Sequence, residues 1–424
     1  MSDSNHPTQL RPETDVLTRG FDPSLSVGSA RPAVFRSSTY VFSSPEAAER
    51  AFDIMGGRGQ RHPGESVDLV YSRFNHPNAQ ILEDQIVPLE PGATGAAVFN
   101  SGMAAIMTAL LAVLQPGDSI LYTVPIYGGT QTLVQKFLEP FGIRGVPVVA
   151  GQTAAIADAI RHTKNLRVVL IETPANPTVV MTDIKSACDA VAGRPSGSQN
   201  GHAAPERPLV MIDNTFLGPA FQHPLQLGAD VSLYSATKYL GGFSDIIGGV
   251  ALTKDSDLMT KIRSKRSLFG NILQPDECWI LDTRLPTVGL RMNRQSKNAQ
   301  RIAEKLDGHP KIKKVYYPTL FEAPEQIRIY RAQCDYPGGL ISLDLHGGKP
   351  AAFDFLRHIK LARNAVSLGG VETLACHPRS TTHSAWSAHD LNETGIGEGL
   401  VRVSFGIEDW RDLLADFESA LDRI

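Results

Sequence analysis

From about residue 76 to residue 250 two kinds of stretch alternate along the chain. Short apolar or β-branched runs, at Ala96 to Phe99, Ser119 to Thr123, Gly145 to Val149, Arg167 to Ile171, Leu209 to Ile212 and Val231 to Leu233, read as strands. Around them lie segments whose apolar residues recur at helical spacing: Ala79 to Leu89, Met103 to Leu114, Thr130 to Phe141 and Ala154 to His162. Runs that are apolar throughout suit strands buried on both faces. Strands that alternate with helices then predict a mostly parallel sheet with helices on both sides. In such a sheet ligands bind beyond the carboxyl ends of the strands.

The flanking regions differ. Residues 1 to about 70 are rich in Pro, Ser, Gly and Arg, with brief periodicity in stretches such as Pro45 to Phe52, and read as an extended arm lying on another surface. Gly193 to Arg207 reads as a surface insertion. A long helical pattern from about Ile280 to Leu306 leads into a smaller α+β region, with strands at Gly339 to Leu345 and Val401 to Phe405 and helices at Ala351 to His358 and Trp410 to Leu421. The expected division is an arm over 1–75, a main sheet domain over 76–288 and a C-terminal domain over 289–424.

The 424 residues suit more than one domain, and 42% apolar with 20% charged residues is ordinary for a globular protein. A net charge of -3 without a basic block gives no footprint for nucleic acid. The longest uncharged run, Pro91 to Gly117, is broken by Pro, Gly and Asn, so no membrane span is expected, and Met1 to Arg11 lacks the apolar core of a signal peptide. The four cysteines, Cys188, Cys278, Cys334 and Cys376, lie far apart without a CxxC pair. They suggest neither a metal site nor a disulfide framework, but the reduced thiols of a cytoplasmic protein.

Candidate chemistry concentrates at the predicted strand ends. Ser235-Ala236-Thr237-Lys238-Tyr239 follows one strand, and Asp213 closes an earlier one. A lysine beside small hydroxyl residues, with an isolated carboxylate, is the set needed by an aldehyde cofactor carrying a phosphate and a pyridine ring, pyridoxal 5'-phosphate (PLP). Lys238 would condense with the aldehyde, and Ser235 and Thr237 would donate to the phosphate. Asp213 would keep the ring nitrogen protonated so that the ring draws electrons from the substrate. Gly102 and Met103 open a helix after a strand, where main-chain N–H groups would complete the phosphate seat. Tyr127 ends another strand, where its ring could stack on the pyridine. Singly, these residues also read as a solvated lysine, a helix-capping Asp, a tight turn and a core tyrosine. Their combination points to an enzyme of amino-acid chemistry.

Several strings carry a wider likeness: Tyr71-Ser72-Arg73, Ser101-Gly102-Met103, Tyr127-Gly128-Gly129-Thr130, Glu172-Thr173-Pro174-Ala175-Asn176-Pro177-Thr178, Asp213-Asn214-Thr215 and Ser235 to Tyr239. Ser367 to Leu374, His377-Pro378, Thr381-Thr382-His383 and Val401 to Asp409 continue it. Together they resemble the PLP-dependent transsulfuration enzymes: cystathionine γ-synthases, cystathionine γ- and β-lyases, methionine γ-lyases and O-acylhomoserine sulfhydrylases. The resemblance implies PLP fold type I, the aspartate-aminotransferase-like architecture, and makes 76–288 the PLP-binding domain. It further implies that Tyr71 and Arg73 reach the cofactor phosphate of a neighbouring subunit in a homo-oligomer, a dimer of dimers. Asn176 and Arg402 would hold the substrate carboxylate, Ser367 would position Lys238 or the substrate, Tyr71 would also meet the substrate, and Lys238 and Tyr127 would move protons.

Departures from the family pattern concern the substrate. Gly129 stands where methionine γ-lyases carry a reactive cysteine. Val366 stands where cystathionine enzymes acting at Cγ often carry Glu, and Phe243-Ser244-Asp245 replaces a frequent His-Ser-Asp. Val366 and Phe243 suggest an apolar distal pocket. The expected activity is therefore γ-elimination from an L-amino acid with a heteroatom leaving group at Cγ: methionine, cystathionine, an O-acylhomoserine or a canavanine-like compound. The alternatives are γ-replacement, a fold type I aminotransferase and a non-catalytic PLP-binding protein.

Overall fold

The computed structural model describes residues 10–17, 19–60, 62, 65, 67–194, 207–384 and 386–424. Residues 195–206 of the expected insertion, and the first residues of the arm, lie outside that set.

A seven-stranded sheet holds the middle of the chain: β1 (Gly95–Phe99), β2 (Ser119–Val124), β3 (Arg144–Val149), β4 (Leu166–Glu172), β5 (Leu209–Asp213), β6 (Val231–Ser235) and β7 (Gly249–Thr253), in the order β1-β7-β6-β5-β4-β2-β3. Pairing among β2 to β6 is parallel, whereas β7 runs antiparallel to both β6 and β1. Apart from the edge strand β3, the apolar runs are buried on both faces. Val168 and Leu170 of β4 pack with the helix Gly102–Leu111 on one side. Val169 and Ile171 pack with the helices Thr153–His162 and Ile184–Ala192 on the other. Period-two alternation with apolar residues in both registers produces this result.

The second sheet contains β8 (Ile312–Tyr316), β9 (Leu340–Leu345), β10 (Arg363–Asn364), β11 (Leu374–Cys376) and β12 (Leu400–Ser404), in the order β10-β11-β12-β9-β8. Val401 and Val403 of β12 enter a core shared with the helices Val288–Leu306, Gly348–His358 and Trp410–Leu421. Arg402, between them, therefore points to the opposite face.

The single helical stretch expected from Ile280 to Leu306 is instead two helices, Pro275–Arg284 and Val288–Leu306, separated by the 3-10 turn Leu285–Thr287. Pro286 has no N–H to continue the ladder. The second helix joins the two cores, with Val288 and Met292 in one and Ile302 and Leu306 in the other. The first part of the arm rests on its own chain. Gln85 donates to the Val16 carbonyl, Asn78 to that of Ala33 and Trp279 to that of Pro32. Farther along, Val41 is 96% exposed.

Candidate active site

A cavity of about 310 Å³ lies at the carboxyl ends of β4, β5 and β6, and the second sheet closes one side of it. Gly102, Met103, Tyr127, Asn176, Asp213, Ser235, Thr237, Lys238, Ser367 and Arg402 all line it, so the chain brings together nearly every expected site residue.

Lys238 lies in the turn that leaves β6. Gly369, at φ +79°, lets the opposing loop approach: a Cβ there would stand 2.7 Å from the main-chain nitrogen of Tyr239. Lys238 Nζ donates to Ser367 Oγ at 2.8 Å. Burial, and then the nearby Arg402, pull the amine down from 10.5 to about 8, toward the neutral form that a nucleophile or base requires. Asp213 ends β5, where Thr215 donates to Oδ1 from its hydroxyl at 2.6 Å and its main chain at 3.2 Å. Burial raises its proton affinity, and the two Thr215 bonds oppose that.

Ser101 caps the helix Gly102–Leu111 by accepting the Ala104 N–H at 3.1 Å. The helix end reaches Ser235 because residue 102 is glycine; a Cβ there would stand 2.9 Å from that of Ser235. Thr237 is less free than expected. Its hydroxyl accepts from the Gly248 N–H at 3.1 Å and donates to the Gly248 carbonyl at 3.3 Å, so it would exchange the longer bond to serve an anion.

Arg402 is 3% exposed and makes no ion pair among the described residues. Nη1 donates to Asn176 Oδ1 at 3.1 Å, Nη2 to the Ser367 carbonyl at 2.7 Å, and Nε has no partner. A buried guanidinium with an idle N–H is arranged for a carboxylate. Ser367 serves both Lys238 and Arg402, and adopts a φ of 101°, which is costly outside glycine. Tyr127 is 45% exposed and faces the cavity. Gly129 leaves room for its ring, since a Cβ there would stand 2.6 Å from Tyr127 Cε1.

The donors at Gly102, Met103 and Ser235, the carboxyl of Asp213, the amine of Lys238 and the aromatic face of Tyr127 together fit a phosphorylated pyridine aldehyde. Tyr71 and Arg73 are not among the residues that line this cavity. Arg73 Nη1 donates to the Ser267 carbonyl at 2.7 Å, and its guanidinium lies against Tyr71 and Phe74. Sequence reasoning also missed contributors. Glu172, Thr215, Ile247 and Thr382 line the cavity, and of these only Ile247 carries the apolar signal that marks a pocket wall. Phe243, expected in the distal pocket, instead lies with its ring 4.7 Å from the Arg284 guanidinium. Among the described residues no helix is long and apolar enough to cross a membrane, no cluster of His, Cys, Asp and Glu could hold a metal, and all four cysteines are free thiols.

A second cavity, of about 550 Å³, adjoins the first through Thr237, Ile247, Val366 and Ser367. Its outer wall carries Ser244, Asp245, Arg363 and Glu372. Asp245 is held by both terminal nitrogens of Arg284, and Ser244 donates to Glu372.

A family model described as Cys/Met metabolism PLP-dependent enzyme matches residues 13–422. The L-methionine gamma-lyase of Fusobacterium nucleatum subsp. nucleatum is 37% identical over 399 residues, covering 94% of this chain and 94% of its own length. The cystathionine gamma-lyase of Bacillus subtilis is 38% identical over 415 residues, covering 98% and 100%. The crystal structure of cystathionine gamma synthase from Xanthomonas oryzae pv. oryzae in complex with cystathionine matches the fold with a TM-score of 0.86 at 31% identity, covering 98% of this chain and 99% of that one.

Proposed function

The chain belongs to the PLP-dependent enzymes of cysteine and methionine metabolism, with their fold type I architecture, and from that premise we propose that it is a γ-lyase. The substrate class is an L-amino acid with a heteroatom leaving group at Cγ. Loss of that group as HX, followed by hydrolysis, yields 2-oxobutyrate and ammonium.

One observation carries the reading of the site. Ser367 holds Lys238 Nζ through its hydroxyl and Arg402 through its carbonyl, so the amine that does chemistry and the seat for an α-carboxylate are fixed to each other. A carboxylate on Arg402 and Asn176 then presents Cα to Lys238. When bound, PLP supplies an electron sink for the carbanion formed at Cα. Asp213 would keep a proton at the ring-nitrogen end, and the N–H groups of Gly102 and Met103 with the hydroxyls of Ser235 and Thr237 would bind the phosphate. Lys238 Nζ takes the α-proton and then a proton from Cβ, whose loss is what allows the Cγ bond to the heteroatom to break, while Tyr127 faces the same space and assists proton transfer to the departing heteroatom.

The passage between the two cavities is apolar at Ile247 and Val366, and the Asp245 carboxylate beyond it is already paired. That favours an uncharged thioether or ether next to Cγ. The size of the outer cavity favours a second reading, γ-replacement, in which it would admit an incoming nucleophile. Incubation with a panel of γ-substituted 2-aminobutyrates separates these readings: 2-oxobutyrate marks elimination, and a new γ-substituted amino acid marks replacement.

Tyr71 and Arg73, on an arm whose later part is exposed, would meet the phosphate of a partner copy in a homotetramer built as a dimer of dimers. Tyr71 also borders that copy's substrate. The domains are taken as 1–75 for the arm, 76–288 for PLP binding and 289–424 for the C-terminal part, and the location as cytoplasmic.

A further inference from the structure

Glu172 closes β4, stands beside Asp213 of β5 in register, and is 4% exposed in the cavity wall. Its two oxygens hold different loops. Oε2 accepts the main-chain N–H of Tyr127 at 2.8 Å, and Oε1 accepts that of Asn176 at 3.0 Å. Its own N–H is fixed by Thr123 Oγ1 at 3.2 Å, so the clamp is built on β2 and β4 together. The first loop carries the aromatic wall, and the second carries the amide that holds Arg402.

We propose that Glu172 is a positioning residue that fixes the aromatic wall of Tyr127 relative to the Asn176–Arg402 carboxylate seat, so that a bound amino acid is held at both ends at once. A buried carboxyl is a poor choice for stability alone. It makes no ion pair among the described residues, and its burial, then the neighbouring carboxyl of Asp213, push its pKa up to about 8. What it offers is two acceptors on one rigid group. A glutamine of the same shape offers one acceptor oxygen, and its NH₂ would face the other N–H. Glu172→Gln therefore releases one loop without opening a void.

This inference rests on the γ-lyase reading for its substrate, and the test separates the two. PLP-loaded wild type, Glu172→Gln, Asn176→Ala and the double variant are compared in their binding of L-norvaline, an amino acid with no leaving group, in the circular dichroism of bound PLP, and in melting temperature. Leaving one buried main-chain N–H without its acceptor should weaken norvaline binding by about tenfold and change the dichroism, while the melting temperature stays near that of wild type. The double variant should lose less than the two single losses combined, because the one carboxyl couples the Tyr127 and Asn176 loops and releasing either loosens the same bound amino acid that Asn176 helps to hold. Unchanged binding and dichroism, strict additivity, or a loss matched by falls in melting temperature and PLP content would overturn the proposal. If Glu172→Gln does not fold, Glu172→Asp keeps both acceptors on a shorter arm and should weaken norvaline binding; unchanged binding there overturns the proposal equally. A wild type that turns over no γ-substituted amino acid, while norvaline binding still responds to Glu172→Gln, would refute the γ-lyase reading and leave this one standing.

Discussion

Arg402→Lys isolates the geometry of the carboxylate seat from its charge. The guanidinium has five N–H donors; one goes to Asn176 and one to Ser367, while Nε has no partner among the described residues. A bound carboxylate can therefore be met by parallel N–H groups while both protein anchors stay in place. A lysine keeps the positive charge but presents it as a point, and cannot hold Asn176, the Ser367 carbonyl and two carboxylate oxygens together. The difference amounts to about one charge-assisted hydrogen bond, ~1.5–3 kcal/mol, or roughly ten- to a hundredfold in kcat/KM. The loss should fall mainly on KM, because the carboxylate is bound alike before and during reaction. Steady-state kinetics, with L-norvaline as a competing ligand, read this directly: KM and the inhibition constant should rise together. Equal constants in wild type and variant, with PLP content unchanged, would place Arg402 outside the seat.

Other outcomes follow from the same geometry. Asp213→Ala should retain PLP through the phosphate seat yet lose about a hundredfold or more in rate; near-normal turnover would remove Asp213 from the chemistry. In the cofactor-stripped protein, Lys238 holds its proton less tightly when folded, at about 8 against 10.5 for a free lysine. The unfolded chain binds more protons between those values, so stability should rise with pH across that window and be indifferent to this group below it. Thermal melts of wild type and Lys238→Met should diverge only there, and parallel curves would contradict the assignment. Arg73→Ala and Lys238→Ala proteins, each impaired alone, should recover activity when dissociated, mixed and reassociated, because one site of a hybrid dimer then has both residues intact; absence of recovery would contradict a role for Arg73 in the partner's site.

Much of the site was legible because its chemistry uses unusual neighbours at strand ends. The pair Ser235 and Lys238 after one apolar run, with Asp213 closing another, needs no three-dimensional information to stand out. The strands β1, β2, β4, β5 and β6 were legible for a related reason, since burial on both faces leaves largely apolar runs, whereas the edge strand β3, half-buried to exposed, was legible through its valines. Strand β7 escaped because its apolar part is only Val250 to Leu252, preceded by Gly248 and Gly249 and followed by a charged helix. The helix Ser256–Phe269 escaped because charged residues interrupt its apolar stripe. Glu172 heads one of the strings that resemble the family, but its role was not legible, since a glutamate at a strand end looks like any solvated carboxylate until the loops it holds are seen. The strained backbone of Ser367 and the crowding that makes Gly129 a glycine are likewise properties of packing.

The central claim is elimination at Cγ, and product stoichiometry tests it most directly. The PLP-loaded protein is incubated with its best γ-substituted substrate, with and without an added thiol, and all products are quantified by mass spectrometry. Elimination predicts equal amounts of leaving group, 2-oxobutyrate and ammonium, unaffected by the thiol. A thioether product that grows with thiol concentration at the expense of 2-oxobutyrate, or an amino group passed intact to an added keto acid, would contradict it.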